Sequence, residues 1–150
     1  MKTKPLIIGF AVTLAIFLGV NLYLYTKILN ATSGEFTYGL DDPYIHLSMA
    51  KNLALHGVWG ISEQNATSSS SSPLWTLILA LVFKIFGVND MAPLYANIFL
   101  SIVLIFQLFN LLSKFSLSSI KIMIWVNIII YGAYLPRVVF MGMEHILHVV

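Results

Sequence analysis

The chain has no cysteine and little charge. Among its 150 residues stand 8 Lys/Arg and 6 Asp/Glu, 9% in all, against 59% hydrophobic residues. The missing cysteine excludes a disulfide frame, a thiolate metal site and a thiol nucleophile. Soluble domains are roughly 25% charged and about 45–50% apolar. Too few charges remain here to cover a water-facing surface, so the apolar excess must face lipid. The net charge of +2 comes with no Lys/Arg cluster, which leaves no electrostatic footprint for nucleic acid. No Gly-rich phosphate loop, GxSxG elbow or HExxH pair is present.

What the sequence has instead is a series of apolar runs. The first, Leu6–Tyr25, follows Met-Lys-Thr-Lys-Pro. A signal peptide also starts with basic residues, but its core is about 7–15 residues and ends in a small-residue cleavage site. This run is longer, and Tyr23, Tyr25 and Lys27 read as interfacial anchors. Residues 6–25 are therefore read as a retained first span. Residues 30–90 form an external loop carrying surface helices. Asp42 is placed to cap the first of these and Pro43 to open it, and Gly57 to stop it after His56. Ile45, Met49 and Leu53 recur at i, i+4 and i+8, with Ser48, Lys51, Asn52 and His56 elsewhere. That pattern fits an amphipathic helix lying on a surface. Residues 58–72 end in a serine run and read as a flexible loop. Pro73–Phe86 is apolar but short and holds Lys84, which fits an interfacial segment better than a span. Spans follow at 91–113 and 119–136, then a second external loop and the start of another helix at 137–150.

If Pro73–Phe86 crosses, there are four spans, and Asp41 and Asp42 lie opposite Glu144. If it lies along the surface, there are three, and the three acids share a side. With three, Lys2, Lys4, Lys114 and Lys121 all fall in short cytoplasmic segments, as the positive-inside rule prefers. The sequence is thus read as an all-α membrane protein of the cell membrane, multi-pass, with about three transmembrane helices. Its N-terminus is cytoplasmic, and interfacial juxtamembrane helices sit in the first external loop.

The chemistry-bearing residues are few. Asp41 and Asp42 follow a span and start a helix. Capping accounts for Asp42 but not for Asp41. A partly desolvated carboxylate beside another acid holds its proton more tightly, which suits Asp41 as a general base or a metal ligand. Glu144 lies in an apolar neighbourhood, where an acid is a functional candidate or simply marks the water boundary. Arg137, about two helical turns earlier, could hold a phosphate, pair with Glu144, or snorkel to the interface. His46 is four residues after Asp42, and His148 four after Glu144, so each pair can meet on one helix face. Tyr44 and Trp75 read as interfacial aromatics.

Several of these pieces together resemble a known family. Asp41-Asp42-Pro43-Tyr44-Ile45, then Lys51-Asn52-Leu53-Ala54, then Ser72-Pro73-Leu74-Trp75, then Gly142-Met143-Glu144 stand in the order seen in polytopic glycosyltransferases of the GT-C class. Pro43 replaces the usual small residue, and His145 stands where threonine is frequent. The resemblance implies a transferase that takes a sugar from a polyprenyl-phosphate-linked donor on the extracytoplasmic face, in cell-envelope assembly. It maps a catalytic acid onto Asp41, with Asp42 beside it, and a second acid onto Glu144. Arg137 and His46 are the candidate substrate-binding residues. A divalent cation is a possible cofactor; membrane lipid and the donor lipid are the partners. Members of the class have many more spans, which complete the donor and acceptor sites. The resemblance therefore implies an N-terminal portion, whether fragment, truncated frame or split protein, that is inactive alone. The alternative is a small non-catalytic integral membrane protein that scaffolds or binds a partner. The two topologies differ at Lys114: a reporter fused after it should give a cytoplasmic signal, and an external signal would exclude the three-span reading.

Overall fold

Gly9, Thr13, Phe17 and Asn21 repeat every four residues along helix α1 (Thr3–Ala31) and form its buried stripe. A four-residue repeat keeps side chains on one helical face. The chain continues through α2 (Asp42–His56), α3 (Pro73–Phe86), α4 (Ala92–Ser113), α5 (Ser119–Gly132) and α6 (Leu135–Val139) to a 3-10 turn at Glu144–Ile146. The computed structural model describes residues 3–67 and 69–150, and these are helical with no strand. Lys2, used above to orient the chain, and Ser68 of the serine run lie outside the described residues.

Small and polar side chains bring α1, α4 and α5 together. A Cβ on Gly9 would meet the Phe109 ring at 3.5 Å and Met123 Cβ at 3.6 Å, ordinary contact distances. Phe10 packs edge-on against Phe106 and Phe109, at 6.1 and 5.6 Å between ring centroids. Asn127 Nδ2 donates to Thr13 Oγ1 at 2.9 Å, a hydrogen bond between helices of the kind that holds apolar bundles together. The first half of α1 thus lies against the end of α4. Its second half, through Leu22 and Tyr25, shares a cavity with Met91 and Leu94 at the start of α4. Helix α4 therefore runs antiparallel to α1. Helix α5 runs parallel to α1, from Gly9 beside the Ser119 carbonyl to Thr13 beside Asn127.

Helices α1 and α4 are long and apolar enough to cross a membrane, with 29 and 22 residues. Helix α1 overruns the expected 6–25 and closes where Gly34 N–H reaches back to the Leu29 carbonyl at 2.8 Å. The expected span at 119–136 is shorter as a helix. Helix α5 has 14 residues and ends at Gly132. The chain then turns through Tyr134, at φ 54°, into α6, which has Pro136 in its first turn. Proline lacks the N–H that would continue the α5 ladder, so the helix breaks there.

Helix α2 departs from the surface-helix pattern. Its buried residues are Pro43, His46, Leu47, Met49, Ala50 and Asn52, while Ile45 and Leu53 are only half-buried. The helix packs on α3 and on loop segments, so His46 and Asn52 are covered along with its apolar residues, while Asp42, Lys51 and His56 stay exposed. Asn52 Nδ2 donates to the carbonyls of Gly60 and Ile61 at 2.9 and 2.8 Å. Asp42 is the first residue of α2; Asp41 occupies the cap position and makes no side-chain cap bond, so the expected Asp42 cap is not formed. Gly57 does end the helix at φ 70°, its N–H bonded to the Leu53 carbonyl. Leu79 of α3 is fully buried in the core that joins these helices. Leu79→Ala should lower unfolding free energy by about 2–5 kcal/mol, measured by denaturant unfolding in detergent with circular dichroism.

Candidate functional site

Gly142 sits where no other residue fits. Its φ is 69°, and a Cβ there would fall 2.7 Å from the Tyr38 ring and 3.0 Å from Pro43 Cβ. Glycine alone tolerates both the left-handed backbone and the close approach. The segment around it is tied down on two helices. Trp75 Nε1 of α3 donates to the Gly142 carbonyl at 3.2 Å. Asn97 Nδ2 of α4 donates to the Met143 carbonyl at 3.1 Å and points at that of Val139 at 3.4 Å. Tyr38 in turn donates its hydroxyl proton to the Asp90 carbonyl at 2.9 Å and accepts the Leu94 N–H at 3.2 Å. Burial pushes the Tyr38 phenol well above its ordinary value, so it stays a neutral donor.

These contacts fix Glu144 against the start of α2. Pro43, next to Asp42, lies against Gly142, two residues before Glu144. Glu144 is 8% exposed. Its Oε2 is buried without a hydrogen-bond partner, and its Oε1 lies 4.0 Å from His148 Nε2. A buried carboxylate oxygen without a donor costs free energy, so it is an acceptor ready for one.

His46 is 1% exposed and sits in a nest of hydroxyls. Its Nδ1 is 3.1 Å from Thr76 Oγ1 and 3.3 Å from Ser70 Oγ; its Nε2 is 3.4 Å from Ser71 Oγ. Ser70 and Thr76 are 2.9 Å apart, and Thr76 donates to the Ser72 carbonyl. Burial lowers the imidazole pKa, against the opposing pull of the Glu144 and Asp42 charges. Asp42 and Glu144 both lie near enough to this ring for their charges to act on it.

The other residues picked out in the sequence stand differently. Asp41 and Asp42 are both exposed, so the partial desolvation expected of Asp41 is not met. Their position at the open end of α2 leaves them water-facing. Arg137 is exposed on α6 and lines a cleft with the end of α1; the side chain 4.0 Å from Glu144 is the imidazole of His148 instead. The break at Tyr134 and the turn at Gly142 separate Arg137 from Glu144, so the helical spacing assumed between them does not hold. His46 is enclosed by hydroxyls and is placed to position the serine segment, with no open face for a substrate. Trp75 is fully buried, an anchor for Gly142 and not an interfacial aromatic. Among the described residues no three His, Asp or Glu side chains converge as metal ligands.

Sequence reasoning missed Tyr38, Thr76, Ser70 and Asn97. Asn97 and Thr76 carried a usable signal, since each is a polar side chain inside an apolar helix. Ser70 and Ser71 looked like low-complexity loop, because a serine run shows no partner until His46 is folded beside it. Compared with protein-family models, curated proteins and solved structures, the chain matches none.

The buried neutral His46 gives a pH signature. Its folded pKa lies below the unfolded value, so the unfolded chain takes up the proton first. Stability is complete above the ordinary imidazole value of about 6.5 and declines as pH falls through it. His46→Gln, which can still bond to hydroxyls, should flatten that decline. Unfolding of both proteins at pH 7.5 and 5.5 checks this; equal slopes would contradict it.

Proposed function

We propose that this chain is an integral membrane protein whose extracytoplasmic face serves sugar transfer from a polyprenyl-phosphate-linked donor. Large apolar side chains point outward from the bundle, among them Ile7, Leu22, Phe99, Phe106 and Ile128, each more than half exposed. An apolar surface of that extent needs a covering, and lipid supplies it. The antiparallel course of α1 and α4 supports three crossings: α2 and α3 leave and return at one end of the bundle. Lys114 and Lys121 belong to the other end, beside Lys4, which agrees with a cytoplasmic N-terminus.

One observation carries the catalytic reading. Gly142 is seated on Pro43 and Tyr38, which brings the Gly142-Met143-Glu144 turn onto the Asp41-Asp42-Pro43 turn. The two motif pieces that resemble the GT-C class are far apart in sequence and adjacent in space. Displacement at an anomeric carbon needs a base toward the acceptor hydroxyl and stabilisation of the departing phosphate. Asp41, exposed at the start of α2, can take the acceptor proton. Glu144, 8% exposed and with its Oε2 enclosed and unbonded, is the second acid at this junction. No metal is assigned a part.

The second reading, a non-catalytic membrane protein that binds a partner, has one observation in its favour. An apolar groove of about 600 Å³ lies between α3 and α4, walled by Ile78, Val82, Tyr95 and Phe99, and could take a partner helix. One experiment separates the two. Asp41→Asn is introduced at the native gene, and envelope glycans and the polyprenyl-phosphate-sugar pool are followed by mass spectrometry. The transferase reading expects a loss of at least about 100-fold in the sugar addition, with accumulation of donor and with the chain still in carbonate-washed membranes. Unchanged glycans with a normal amount of inserted chain would overturn it.

A further inference from the structure

Two cations stand over one apolar cleft at the end of the bundle. Lys27 of α1 and Arg137 of α6 both line a cavity of about 290 Å³ whose walls are Leu24, Ile28, Ala31 and Phe140. A second cavity shares Ile28, Ala31, Arg137 and Phe140 and carries the cleft on toward Leu40 and Met141. No acidic side chain lines either one. Both cations are exposed, and neither makes an ion pair among the described residues. Lys27 rests over the Tyr23 ring at 5.4 Å, a contact that leaves its three donors free.

The cleft also sits at a defined depth, on the membrane reading above. Lys27 is about 35 Å along α1 from Lys4 at 1.5 Å per residue, a little more than the roughly 30 Å hydrocarbon layer. With Lys4 at one boundary, the Lys27 ammonium falls in the opposite headgroup layer. Arg137 joins it there because α5 runs parallel to α1 and hands the chain to α6 at the same end. An apolar trough below two unpaired cations in the headgroup layer matches one kind of molecule: a phosphate with a hydrocarbon chain attached. The guanidinium offers a planar fork to two phosphate oxygens and the ammonium a point charge.

We propose that this cleft binds an anionic phospholipid, its phosphate held between Lys27 and Arg137 and an acyl chain laid along Leu24, Ile28 and Phe140. The site is formed by α1 and α6, apart from the Asp42–Glu144 junction, and rests on the membrane reading but not on sugar transfer. Two cations near the headgroup favour a net-negative lipid over a zwitterionic one. A bound lipid would also tie α6, and through it the Glu144 turn, to α1.

The full chain is reconstituted in detergent micelles doped with phosphatidylglycerol or with phosphatidylcholine, and retained lipid is counted by native mass spectrometry. Phosphatidylglycerol should be retained about tenfold more. Lys27→Gln with Arg137→Gln should abolish that preference, and Lys27→Arg with Arg137→Lys should keep it. Equal retention of the two lipids by the unmodified chain overturns the proposal whatever the variants do. Inorganic phosphate at millimolar concentration should not displace the lipid; displacement would mean a free-anion site and would also overturn it. Flotation with carbonate-washed vesicles separates the two levels. A chain that floats but shows no lipid preference refutes this site alone, whereas a chain that does not float refutes the membrane reading as well.

Discussion

The carbonyl of Gly142 is the point on which the rest of the site turns. It is bonded to an indole on α3, flanked by a carbonyl bonded to an asparagine on α4, and its missing side chain leaves room for Tyr38 and Pro43. Each of these partners is buried, where an unpaired polar group costs about 1–3 kcal/mol. The bonds are therefore hard to exchange for anything else. Through them a short, irregular segment becomes as fixed as the helices it touches. Glu144 inherits that position, and its burial follows from the clamp and not from any strong preference of its own.

Around this clamp the chain divides its labour. Helices α1, α4 and α5 present apolar surfaces outward and use Gly9, Thr13 and Asn127 to approach one another. Helices α2 and α3 bury His46, Asn52 and Thr76 as well, because Gly60, Ile61, Ser70 and Ser71 fold back on them. His46 shows what that does to a side chain. Surrounded by Ser70, Ser71 and Thr76, it has lost water and stays uncharged, although two carboxylates bias it the other way. Its energy goes into holding a serine-rich loop in one place.

Much of this was legible in the sequence. The apolar runs gave α1, α3 and α4 nearly in place, since run length and composition are local properties. Pro43 and Gly57 marked the start and end of α2, because backbone constraints act on the residues that carry them. Three things were not legible. The face that α2 buries depends on what α3 and the loop bring to it, and Ile45 and Leu53 lost to His46 and Ala50 on those grounds. The exposure of Asp41 depends on which way the α2 end opens. The separation of Arg137 from Glu144 depends on a break at Tyr134, where a non-glycine residue adopts a positive φ that no local pattern announces. Side-of-membrane reasoning expected only that Glu144 and the Asp42 turn share a side; that Gly142 is seated on Pro43 depends on residues with no obvious role in the sequence.

The bond between Trp75 and Gly142 spans 67 residues, and this has a consequence for assembly. During synthesis α2 and α3 are complete long before the residue that pairs with the indole has been made. Until then Trp75 has a donor without its acceptor, Asn97 lacks two carbonyls, and Tyr38 faces a gap where Gly142 will sit. The hairpin of α2 and α3 must wait in a partly finished state while α4, α5 and α6 are added. The Gly142-Met143 turn then acts as a latch that closes four earlier elements at once. A product stopped short of Gly142 would keep α1 to α6 and lose the junction.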